Sequence, residues 1–151
     1  MLSGSYTTSF LSGDFATAMT TLMRTVVATI AVAASVSGCS DTCRNTVVST
    51  AVAPGGAQQA LLFQRDCGAT TGFSSQVSLT TSSASSSGSG NAFVADTGHG
   101  SAKASAWGGP WVQLHWQTPQ RLLIRYDREA RVFTKNRSAA GVSITYEAVS
   151  R

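Results

Sequence analysis

The stretch VVSTAVAPGGAQQALLFQRD, from Val47 to Asp66, decides the fold. Val47 to Val52 is a run of β-branched and small residues, and Ala60 to Phe63 is apolar again before Gln64 and Arg65. Pro54-Gly55-Gly56 stands between them, a turn signal because proline presets φ and glycine reaches positive φ without steric cost. No apolar set recurs at the three-to-four-residue spacing of a helix, so strand, turn and strand is the pattern that fits. Alternation then places Leu61 and Phe63 on one face and Leu62 and Gln64 on the other.

The same pattern returns in VQLHWQTPQRLLIRYD, from Val112 to Asp127, with Pro119 at the break. Val112, Leu114 and Trp116 share a face opposite Gln113 and His115. In the second limb either Leu122, Ile124 and Tyr126 or Leu123 and Arg125 point inward. Two further strand candidates follow each copy: Phe73 to Thr80 and Ala92 to Asp96, then Arg131 to Asn136 and Gly141 to Val149. The expected fold class is all-β, with about eight antiparallel strands in two four-stranded blade-like units. The units pack on each other or run as one twisted sheet. A Ser/Gly tract at 81–90 buries too little surface to order itself and is expected to be a flexible loop.

Helix is expected only in the leader. Arg24 precedes an uncharged apolar run, Thr25 to Ser35, shorter than the roughly 20 residues a bilayer-spanning helix needs. A removable export signal follows from that pattern. Val36-Ser37-Gly38-Cys39 resembles the lipobox of bacterial lipoproteins, in which the cysteine is acylated and becomes the new N-terminus. Met1 to Ala18 lie ahead of the pattern, and a start at Met19 or Met23 accounts for them. The expected division is an N-terminal extension and signal peptide at 1–38, a tether at 39–45 and a single β domain at 46–151. Acyl chains contribute about 0.8 kcal/mol per buried CH₂, so more than one of them anchors a domain firmly. Cleavage without lipidation, giving a secreted soluble domain, is the alternative. By the same resemblance, Ser40 in place of aspartate after the lipidated cysteine implies the periplasmic face of the outer membrane.

With Cys39 acylated, Cys43 and Cys67 remain, and in an oxidising compartment a thiol pair is expected to close into a disulfide. A nucleophilic Cys67 would need a nearby base, and the two histidines, His99 and His115, lie far off in sequence and outside any nucleophile motif. No short Cys or His spacing suggests zinc, and no cofactor or metal is expected.

Residues 39–151 carry ten Lys or Arg and six Asp or Glu, a net charge of +4. The cations concentrate between Arg121 and Arg137, where they alternate with apolar residues as strand faces require, and no nucleic-acid partner is expected. The membrane through the lipid, an envelope protein and anionic lipid headgroups are the partners considered, with Trp107, Trp111, Arg121 and Arg125 as possible binding residues. Trp107, Trp111 and Trp116 are close enough in sequence to form an aromatic cluster. Asp66, Asp96 and His99 are the candidates for acid–base chemistry in a small hydrolase, together with Thr70, Thr71 and Asp127 as polar residues at strand ends. The competing expectation is that these aspartates cap turns and pair with Arg65 and Arg125.

The words FQRDCGATTGFSSQVSL, NAFVADTGHG, RLLIRYD, RVF and GVSITYE, spread over Leu61 to Glu147, resemble a family of small proteobacterial lipoproteins that forms a domain of unknown function. The strand, Pro-turn and strand openings are also similar to blades of TolB-like propellers. The resemblance implies an exported, lipid-anchored β domain acting as a binding or structural module and brings no activity with it.

Overall fold

The computed structural model describes residues 43–81 and 87–151. The segments expected to be a signal peptide and most of a tether, Cys39 among them, lie outside the described residues, as do residues 82–86 of the Ser/Gly tract. Among the described residues there are nine strands and no helix: β1 Arg44–Val52, β2 Gln58–Asp66, β3 Ser74–Thr81, β4 Phe93–Asp96, β5 Val112–Thr118, β6 Arg121–Asp127, β7 Arg131–Lys135, β8 Ser138–Ala139 and β9 Val142–Val149. They form a five-stranded sheet of order β1-β2-β3-β4-β7 and a four-stranded sheet of order β5-β6-β9-β8.

The β1–β2 turn follows from its residues. Ala53 accepts a hydrogen bond from the Gly56 amide at 2.9 Å, and Gly55 between them has φ of 90°. Proline at the first central position and a left-handed glycine at the second make a type II turn.

Two four-stranded units of consecutive strands are not what forms. β7 leaves the second half of the chain and pairs with β4, so the first sheet gains a fifth strand. The crossover through β7 and β8 brings β9 back parallel to β6, the one parallel pairing among the described strands. Alternation fixes which face of a strand is buried but not which sheet it joins, and β7 offers partial burial on only one face.

The two sheets bury their inner faces against each other. Leu62, Val77, Leu79 and Phe93 from the first meet Val112, Leu122, Ile124, Tyr126, Val142 and Ile144 from the second. The alternative with Leu122, Ile124 and Tyr126 inward is therefore realised. Phe93 is fully buried and tilts against Tyr126 and Tyr146, with ring centroids 5.2 and 6.0 Å away. The Tyr146 hydroxyl lies 2.7 Å from the Asn136 carbonyl and 3.0 Å from that of Ala92, and burial pushes its pKa up to about 12.

The outer face of β2 and β3 is covered too, which explains why Ala60 to Phe63 are all buried. Residues 87–90 of the tract expected to be flexible, with Asn91 just beyond it, are pinned to that face. Gly90 N and Ser89 Oγ donate to Gln76 Oε1, and the Asn91 side chain bonds both the amide and the carbonyl of Leu79. Serine and glycine order here because hydrogen bonds to Gln76 and Leu79 replace the apolar burial they cannot supply.

Cys43 and Cys67 are joined by a disulfide, one register step beyond the Arg44–Asp66 pair. On the loop-entropy account a closure of about 25 residues stabilises by about 3 kcal/mol. Replacing both cysteines by serine is expected to lower the unfolding free energy by about that amount, read as an earlier urea midpoint. Gly109 also holds the fold. A Cβ there would stand 2.4 Å from Ser75 Oγ and 2.8 Å from the Ser75 amide. Gly109→Ala is therefore expected to cost about 1–3 kcal/mol in the same titration, because backbone must shift to admit the methyl group.

Candidate functional site

One register row crosses all five strands of the first sheet: Asn45 faces Arg65, Arg65 faces Ser74, Ser74 faces Asp96, and Asp96 faces Arg131. Residues directly opposite in a ladder share a face. Because Leu62, Val77, Phe93 and Ala95 fill the core, this row lies on the outer side of the sheet. Arg65, only 7% exposed, donates from Nη1 to Asn45 Oδ1 at 2.7 Å and to the Gly88 carbonyl at 2.8 Å. The buried end of the row is thus locked to the 87–91 segment.

At its other end the row opens into a cleft of about 380 Å³. The floor is Arg65, Ser74, Asp96 and Arg131. One wall is the β2–β3 loop with Cys67, Thr70 and Thr71, and the other carries Thr97 and His99, with Phe133 at the rim. Both walls are built by short turns. Asp66 Oδ1 accepts from Gly68 N at 2.9 Å, and Asp96 Oδ1 accepts from Gly98 N at 2.8 Å. Gly98, His99 and Gly100 all have positive φ, which sets the course of this second wall. A non-glycine residue pays for that conformation, and His99 and Ala140 are the two that adopt it among the described residues.

Arg131 organises the charge. Its Nε donates to Asp96 Oδ1 at 3.1 Å and its Nη2 to Asp96 Oδ2 at 2.5 Å. Its Nη1 lies 3.2 Å from His99 Nε2. A guanidinium only donates, so Nε2 is the accepting side of this contact. The Arg131 hydrogen bond holds the Asp96 carboxyl below its ordinary 3.8, partial burial opposes this, and the Gly98 amide and the charge of Arg131 reinforce it. Arg131 is held protonated more firmly in return, chiefly by the bond to Asp96.

Asp96 and His99 therefore line one cleft, but Arg131 bonds to both and no direct bond joins them. Asp66 is engaged by its own turn and borders a separate hollow with Gly68 and Phe73. Asp127 likewise caps a turn, through Oδ1 to Glu129 N. The partner expected for these acids was Arg65 or Arg125. Arg65 bonds Asn45 and Gly88, and Arg125 makes a two-point pair with Glu147 on the outer face of the second sheet. Arg131, the acid's actual partner, could not be singled out from spacing because 35 residues separate it from Asp96.

The aromatic cluster does not form. Trp107 donates to Ser75 Oγ at 2.8 Å, Trp116 donates to the Ala51 carbonyl at 2.9 Å, and Trp111 stacks under Arg151 at 4.4 Å. The large apolar side chains left exposed among the described residues are Val47, Val52, Phe73 and Phe133. Nor do the cations from Arg121 to Arg137 share one surface: Arg125 lies on the second sheet, Arg131 in the cleft, and Lys135 against the rings of Tyr126 and Tyr146. Among the described residues no three His, Cys, Asp or Glu side chains gather as metal ligands.

The folded value of Asp96 lies below the unfolded one, so its contribution to stability is complete above about 3.8 and is lost as pH falls through the folded value. Asp96→Asn keeps the turn acceptor and removes the charge. It is expected to be less stable than the native chain at pH 7, with the difference vanishing as both are acidified. Asp96→Ala should lose about 1 kcal/mol more at pH 7, the usual net worth of the missing turn hydrogen bond. Paired urea titrations across pH 2–7 check both. No family model, curated protein or solved structure matches this chain.

Proposed function

We propose that this protein is a lipid-anchored binding module of the cell envelope, tethered through Cys39 at the periplasmic face of the outer membrane, with the cleft over Asp96 and Arg131 as its binding surface. The observation that carries it is the state of the cleft's polar groups. Asp96 is occupied by Arg131 and Gly98, and His99 by Arg131. Side chains tied together in this way form a fixed polar surface, suited to recognition more than to proton transfer, which needs an acid or base free to exchange its proton with substrate.

Two further observations support the reading. The Cys43–Cys67 bond suits an oxidising compartment, as an exported domain would meet. The cleft is also a better contact surface than either outer strand of the first sheet. β1 carries a bulge between Val47 and Ser49 and has the Trp116 indole on its Ala51 carbonyl. β7 is short, bulged against β4 and flanked by Arg131 and Lys135. Bulges, shortness and charge are the means by which sheet edges resist added strands.

Mass spectrometry of the protein from membrane fractions is expected to find the mature N-terminus at an acylated Cys39. Cys39→Ser should move the chain from the membrane to the soluble fraction or leave it unprocessed. An unmodified Cys39 on a soluble mature chain would refute the anchor and leave a secreted domain.

A further inference from the structure

Resting on the proposal that the domain is a binding module, the geometry points to a neutral saccharide as the ligand of the cleft. Asp96 and Arg131 neutralise each other, so neither calls for a full charge on what binds there. Their hydrogen-bonding capacity is not exhausted. The guanidinium has five N–H groups, of which two go to Asp96 and one to His99. Two remain, on a side chain that is 46% exposed. Asp96 Oδ2 takes one bond from Arg131 and keeps a further lone pair. Donors and an acceptor held side by side complement neighbouring sugar hydroxyls, each of which both donates and accepts.

Phe133 adds the apolar half of the site. It is 59% exposed at the rim of the same cleft, and the Arg131 guanidinium lies 4.9 Å from its ring centroid. That contact restrains the ring while much of its surface stays open, which makes a flat platform for the C–H face of a pyranose. The volume of about 380 Å³ is at the small end of ligand pockets, roughly 300–1,000 Å³, and suits one or two sugar rings. A carboxylate or phosphate on the two remaining N–H groups would instead bring its charge beside that of Asp96, and the like charges oppose it.

The test is an NMR titration of the isotope-labelled full chain with cellobiose, maltose and diacetylchitobiose, with inorganic phosphate and acetate in parallel. At least one disaccharide is expected to give saturable shifts at His99, Phe133 and the Arg131 Nε signal. Phe133→Ala should weaken that binding about tenfold or more. Phe133→Leu, which keeps apolar bulk without a flat ring, should weaken it too, and Phe133→Trp should retain it. Saccharide binding that survives both Phe133→Ala and Phe133→Leu overturns the proposal. So does a response to phosphate or acetate alone, or to none of the probes. If saccharides fail while the chain still carries an acylated Cys39 in membranes, the saccharide is wrong and the envelope placement stands; if both fail, the underlying reading falls with it.

Discussion

The pairing of β4 with β7 is the constraint on which both the fold and the cleft depend. Phe93 faces Lys135 across it, and Asp96 faces Arg131. The first pair belongs to the core, where Phe93 packs on Tyr126 and Tyr146 while the Lys135 ammonium lies 5.1 Å from the centroid of each of the same rings. The second pair belongs to the cleft. One register thus sets the seam between the sheets on one face and aligns a carboxylate with its guanidinium on the other. Slippage by one residue would reverse both faces, since neighbouring strand residues point to opposite sides. The bulge between Val94 and Ala95 lies within this short pairing.

Rigid parts surround the cleft. The disulfide fixes Cys67 at the start of the β2–β3 wall, and Asp66 and Thr71 tie that wall back to Gly68. The opposite wall is set by Asp96 on Gly98 and by the hydroxyl of Ser101 on the Gly98 carbonyl. Loops held by their own short hydrogen bonds present side chains in fixed places, and a surface prepared in this way loses less entropy when something binds.

Most of the architecture was legible where a local rule governs it. β6 runs over the residues that alternation assigns, and the Pro-Gly-Gly turn and the inward set of β9 follow their sequence signals. The Cys43–Cys67 bond followed from counting thiols. What escaped is set by long-range register. β8 has only two residues, too few to alternate, and the sheet that β7 joins is decided by the open flank of β4. The cleft was half legible: Asp96 and His99 could be named, but their common partner Arg131 and the rim residue Phe133 could not. The three tryptophans stand near one another in sequence, yet β-structure sends each to a different surface, to Ser75, to Ala51 and to Arg151.

The place of β7 in the first sheet has a consequence for biogenesis. A chain emerges from the ribosome from its N-terminus, and strands β1 to β4 are present by residue 96. The outer flank of β4 then stays without its mate until residue 135 has followed, while the inner faces lack the second sheet to cover them. A first half taken alone therefore has an unpaired edge and an uncovered apolar face, and does not close blade by blade as a chain of self-contained repeats does. Such a topology favours closure of the two sheets over each other only once the whole polypeptide is present.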